Sequence, residues 1–206
     1  MLVKQKISET IIIITVAAFL LFIDTGCRKG EDDPFFSFRS RKNRLCGKWK
    51  MVEYSETKCV GIDINTHLVF KTKLKDGIVA STFNNIVFES YTFDEIWTFN
   101  RDETYKTETL IEDIPSITEG IWSWNEKDKN GDFKKKECVL LTPEIVNSNN
   151  GEQVYELSGI TIPPYYTFAL RCLSEKTIIF ESQYSEYTSS DGYYSIDAEY
   201  KLEKVD

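Results

Sequence analysis

The chain has 206 residues with a net charge of −8, 14% aromatic residues and a single histidine. That acidic balance excludes a nucleic-acid partner, because phosphates need a cationic face. One histidine also excludes a zinc centre built from several, and any catalytic triad not centred on His67.

Lys4 and Lys6 precede an uncharged run over residues 11–23, IIIITVAAFLLFI, and Gly26 stands before Cys27. As a helix the run would extend about 20 Å, against roughly 30 Å for a bilayer core. A cationic start, a short apolar centre and a small residue predict a bacterial secretion signal over residues 1–26. The small residue before a cysteine resembles the lipobox of bacterial lipoproteins, although Asp24 stands where such boxes usually carry Leu. That resemblance implies that Cys27 becomes the lipidated first residue of the mature chain. Acyl chains at about 0.8 kcal/mol per buried CH₂ would then hold it on a membrane. A plain signal peptide cut nearby and an uncleaved N-terminal anchor are the alternatives.

Residues 27–44 are dense in charge and lack any period of 2 or 3.6, which predicts a tether. Within it Glu31, Asp32 and Asp33 resemble the acidic signal that sends some Bacteroidetes lipoproteins to the outer face of the outer membrane; a solvated linker reads equally well. Arg39, Arg41, Lys42 and Arg44 are candidates for anionic headgroups, at about 1 kcal/mol each. Phe35, Phe36 and Phe38 would either enter the lipid interface or cap the domain.

From Gly47 the pattern is strand after strand. GKWKMVEY (47–54) alternates Trp49 and Met51 with Lys48 and Lys50, and THLVFKTKL (66–74) alternates in the same way. NNIVFESYTF (84–93) follows, then a hairpin over 95–110 with its turn at residues 100–103. A second hairpin over 120–142 turns at Asn130-Gly131. Strands at 165–173, 176–188 and 193–204 complete eight to ten, with no helix pattern. An antiparallel barrel or sandwich is predicted, and the lack of βαβ alternation argues against an α/β enzyme fold.

The succession Gly47-x-Trp49, WTFNRDETY, GIWSW, ALRCLSEKTIIF and YKLEK resembles the lipocalin-like lipoproteins of the Bacteroidetes over about residues 45–204. The resemblance implies one up-and-down barrel over 45–206, Gly47 and Trp49 structural with Trp49 closing the base, and a mouth open to a small apolar or amphipathic ligand. Candidate lining residues are Phe70, Trp97, Phe99, Tyr105, Trp122, Trp124, Phe168 and Tyr200. The alternative is that these rings only fill the core.

Chemistry is sparse. His67 is placed on the solvent face or the rim, and no GxSxG, phosphate loop or HExxH is present. No catalytic residues and no cofactor are predicted, with hydrolysis by paired carboxylates as the alternative. Glu126, Asp128, Asn130 and Glu137 have the spacing of a calcium loop, but Lys134 to Lys136 and the Asn-Gly turn favour a plain hairpin, so no metal is expected. Setting Cys27 aside leaves Cys46, Cys59, Cys138 and Cys172, enough for two disulfides in an exported chain. Cys46 with Cys59 is the simplest local pair, and Cys138 with Cys172 would bridge the sheet, Cys172 sharing a face with Tyr166, Phe168 and Leu170.

The expected function is therefore an exported, outer-membrane lipoprotein whose barrel binds a small apolar or amphipathic ligand. The rival is a structural or interaction lipoprotein with a filled barrel that meets another envelope protein or a host surface.

Overall fold

The computed structural model describes residues 40–63, 66–125, 137–148, 151–154, 166–188 and 192–205. The signal, Cys27, the acidic run and the calcium-loop residues Glu126, Asp128 and Asn130 lie outside them.

After a five-residue helix α1 (Arg41–Leu45) come β1 (Gly47–Asp63), β2 (Thr66–Lys75), β3 (Ile78–Phe83), β4 (Ile86–Phe99), β5 (Thr104–Ile111) and β6 (Ile114–Asn125). β7 (Cys138–Ser148), β8 (Gly151–Val154), β9 (Tyr166–Leu173), β10 (Thr177–Thr188) and β11 (Gly192–Lys204) follow. Each strand pairs antiparallel with its sequence neighbour around a ring, except that β7 pairs with β9 directly and β8 hangs beside β7. β1–β11 and β6–β7 pairing closes the sheet into a ten-stranded up-and-down barrel, the predicted fold class. Closure leaves the ring without a free edge.

The ring is narrower at one end. Gly47 to Lys50 pair straight onto Ile96 to Phe99 of β4, so the β2–β3 hairpin enters only higher up. Eight strands thus enclose the floor and ten enclose the mouth. Two-residue turns make this insertion compact: Asp76-Gly77 and Asn84-Asn85 all have positive φ, as the tight hairpin turns of a twisted sheet require. The sequence reading missed β3 and both turns, and it split β4 into two segments.

Aromatic and aliphatic side chains fill the narrow end. Trp49, Phe99, Trp122, Phe180, Leu170 and Leu202 are fully buried there, each burial contributing about 1.5–3 kcal/mol. Gly120 allows part of this packing: a Cβ on it would sit 2.1 Å from the Thr142 carbonyl and 2.9 Å from the Tyr105 ring.

Helix α1 plugs the floor and corrects the tether boundary, which stops short of Arg41. Ser40 caps the helix by accepting from the Asn43 amide at 3.2 Å. Leu45 is fully buried, and its carbonyl accepts from the Trp49 indole at 2.8 Å. Of the four headgroup candidates Arg39 lies outside the described residues, and the other three bind the domain itself. Arg41 pairs with Glu137 at 2.5 Å, Lys42 with Glu103 at 2.7 Å, and the buried Arg44 donates to the Leu173 carbonyl at 2.6 Å.

The cysteine pairings are also corrected. Cys46 and Cys59 are free thiols. The segment between them is one continuous strand, which separates them by roughly 40 Å. Cys138 faces Ala169, three residues short of Cys172, about 10 Å along the strand. That exceeds the Cα separation a disulfide spans. A bulge between Ile179 and Phe180 also pairs Leu173 with Ile178 and Cys172 with Ile179, which takes Cys172 off the face of Phe168 and Leu170.

Candidate functional site in the barrel interior

Seven of the eight predicted lining residues belong to one packed cluster. Trp97, Phe99, Tyr105, Trp122 and Phe168 are buried, with Trp124 and Tyr200 packed against them. Trp97 lies 5.6 Å from Phe168 and 5.9 Å from Phe180, and Phe168 lies 5.3 Å from Tyr200, ring centre to ring centre. These rings hold one another and form a floor. Phe70 stands apart near the mouth, 5.1 Å from Phe83 and 6.1 Å from Phe88. Trp49 lies under the floor beneath the ammonium of Lys204, 4.9 Å from its ring. His67 is exposed, 6.1 Å from the Tyr193 ring.

Strand register arranges the wall above the floor in rows. Across β1 to β4 the first inward row is Tyr54, Leu74, Val79 and Tyr91. The next is Glu56, Thr72, Ser81 and Glu89, and above it come Lys58, Phe70, Phe83 and Ile86. The extra residue Val52, a bulge in β1, brings Tyr54 and Glu56 onto the face of Trp49 and Met51. β4 contributes Glu95, between Phe93 and Trp97 on the inward face.

The polar groups of this layer are tied together. Tyr54 donates its hydroxyl to Glu56 at 2.6 Å and lies 4.9 Å from the Tyr200 ring. Glu95 accepts from the Trp97 indole and from the Thr109 hydroxyl at 3.3 Å. Thr72 and Ser81 are hydrogen-bonded at 3.2 Å. Some solvent reaches Glu95, yet the protein around its carboxylate pushes the pKa up to about 7, against two hydrogen bonds that pull it down. Burial, followed by the Glu56 hydrogen bond, pushes the Tyr54 hydroxyl far up. Burial also raises Tyr200, which both Glu56 and Glu95 push further upward.

Among the described residues neither Glu56, Glu89 nor Glu95 pairs with a lysine or arginine. Lys58 is the inward cation of the rows on β1 to β4, and its ammonium sits 5.2 Å over the Tyr194 ring. Glu137, the last residue of the calcium reading, is held by Arg41, and no group of metal-ligating side chains occurs among the described residues.

A groove of about 550 Å³ on the outer wall is lined by Glu53, Lys73, Lys75, Glu199, Lys201 and Glu203. With Asp76 its acids outnumber its three lysines by one, and the charges largely offset one another, as in the 2.5 Å Lys201–Glu53 pair. It has no chemical selectivity comparable to the interior. Sequence reasoning missed Glu95, Glu56 and Tyr54; the alternation that turns Trp97 and Phe99 inward also turns Glu95 inward.

Fold and site define a closed β-barrel with a packed aromatic floor and an acidic, tyrosine-lined layer above it. No protein-family model, curated protein or solved structure matches the chain.

Proposed function

We propose that this protein is an exported lipoprotein, anchored to the outer membrane through Cys27, whose barrel takes a small amphipathic ligand through the wide end. The observation that carries the reading is the acidic layer. Half-buried carboxylates without cations, as Glu56 and Glu95 are, cost stability, and an interior built only for packing has no use for them. They are read as ligand anchors and not as a hydrolytic pair. Native mass spectrometry of the full chain purified from the cell envelope tests this. A co-purifying small molecule, lost on denaturation, is the expected result. Bare protein in repeated preparations would favour the filled-barrel reading, in which the outer surface meets an envelope partner; the mutual packing of seven candidate lining residues supports that second reading.

The anchoring half has its own test. Processing should stall under globomycin, and Cys27→Ser should lose incorporated lipid. Unaltered processing with no lipid on Cys27 would leave a secreted barrel without an anchor.

A further inference from the structure

The interior wall is sorted by chemistry along the barrel axis. At the bottom are packed rings. Above them lie Glu95 and the row containing Glu56 and Glu89. Higher still, on the same inward faces, come Leu68, Phe70 and Phe83, with Phe88 against Phe70. Apart from Lys58, which pairs with Phe70, the upper collar is apolar yet wet: Leu68 is 52% exposed and Phe88 58%. Exposed aromatic surface of this kind marks a binding site more often than a packing fault.

Charge distinguishes the layer below. On β1 to β4, among the described residues, three carboxylates, Glu56, Glu89 and Glu95, face inward against one lysine, Lys58, which stands one row higher beside Phe70 and is engaged by Tyr194. The inward partners from the other strands are neutral: Thr109 beside Glu95, Ser182 and Ala198 on β10 and β11, and Tyr200 between the two acidic groups. The rings of Tyr54, Tyr200 and Trp97 adjoin this negative charge, and electron-rich faces beside carboxylates suit an organic ammonium better than a hydrated metal ion.

We infer that the barrel binds an organic cation carrying a hydrocarbon tail. The ammonium group rests between Glu95 and Glu56 against the Tyr54, Tyr200 and Trp97 rings. The tail runs up along Phe70, Phe83 and Phe88 to the mouth. This inference rests on the ligand-binding reading above and specifies the charge of the ligand.

Three probes with the same ten-carbon chain separate the two claims: decyltrimethylammonium, decanol and decanoate, each titrated into the full chain below its micelle-forming concentration and followed by tryptophan fluorescence, since Trp97 lies at the site. The cation should bind at least about tenfold more tightly than decanol, and decanoate most weakly, because a charge-assisted contact is worth about that much. Glu95→Gln and Glu56→Gln should each weaken the cation about tenfold and leave decanol unchanged. Glu203→Gln on the outer wall should change neither, and thermal melts of each variant confirm that the barrel is intact. Decanol or decanoate binding as well as the cation would overturn the cation inference and leave an amphipathic-ligand barrel. Tight cation binding that survives both interior substitutions would overturn it also, by placing the cation elsewhere. Failure of all three probes would overturn it as well, and the mass-spectrometric experiment would then decide alone between a ligand carrier and a filled barrel.

Discussion

Trp97 donates its indole hydrogen to the carboxylate of Glu95, two positions back on the same inward face of β4. A ring of the packed floor and an acid of the layer above are thereby joined within one strand. The bond holds a carboxylate in a place that burial alone would empty of charge, and its consequence is measurable through pH.

Burial pushes the Glu95 carboxyl from its ordinary value of 4.5 up to about 7 in the barrel. Below pH 4.5 both states keep the proton and folding is unaffected. Between 4.5 and 7 the unfolded state releases it first, so stability falls as pH rises, and above 7 the penalty is complete at roughly 2–3 kcal/mol. Glu95→Gln should therefore raise the Tm at pH 8 by about 5–10 °C and by much less at pH 5. Equal gains at the two pH values would show a carboxylate in ordinary solvent.

Gly120 faces Tyr105 across β5 and β6, with the Thr142 carbonyl 2.1 Å from where a Cβ would stand. Backbone cannot retreat as a side chain can. Gly120→Ala should cost more than about 3 kcal/mol, the upper range of overpacking, and break the β6–β7 closure. Gly77→Ala, whose nearest neighbour is the Phe93 carbonyl at 3.8 Å, is strained only by its φ of 76° and should cost about 1 kcal/mol. Urea midpoints of the two variants give the comparison.

Removing the plug should expose the floor. A chain beginning at Gly47 lacks the buried Leu45 and Arg44. It should be less stable than one beginning at Ser40 by about 3–5 kcal/mol, on the scale of deleting a fully buried leucine. Chemical denaturation of both fragments measures this, and equal midpoints would reduce α1 to an ornament of the N-terminus.

Gly47 has φ +139°, and a Cβ there would meet the Lys204 side chain at 3.1 Å. Gly47→Ala should cost about 1–3 kcal/mol in backbone strain and dislodge the ammonium from Trp49, shifting tryptophan emission. Lys204→Met should reproduce the spectral shift at a cost of only about 0.5–1 kcal/mol, the worth of the cation–π contact. An unchanged spectrum in both variants would mean that Lys204 does not sit over that ring.

Much of this architecture is legible in alternation. Trp49 and Met51, or Trp97 and Phe99, declare their face because apolar and polar residues alternate with the pleat. Where alternation is interrupted the reading fails. The extra residue near Val52 changes the phase of β1, so Glu56 and Lys58 look outward in a simple count and are inward in the barrel. The bulge opposite Phe180 does the same to Cys172. β3 was invisible because IVASTF is short and mixed, although Asp76-Gly77 and Asn84-Asn85 announce its two ends. Helix α1 carries no apolar period in RKNRL; one buried leucine and its contacts with the floor make it, and those are tertiary facts. That the aromatic residues would fill the floor and not line a void depends on the barrel narrowing to eight strands, which no local pattern reveals.

The chain enters its barrel from below, through α1, and this sets the direction from which any ligand arrives. In the lipid-anchored reading, the stretch from Cys27 to Ser40 is a leash no longer than about 45 Å. β1 alone, at 17 residues, runs about 55 Å and rises about 40 Å when tilted as barrel strands are. For the mouth to touch the membrane that holds the protein, the leash would have to be drawn out almost fully along the outer wall, at a heavy entropic cost. On that reading the protein would stand on its plugged end with the acidic layer toward the aqueous side. It would then be placed to collect what diffuses toward the cell, and poorly placed to extract lipid from the bilayer beneath it.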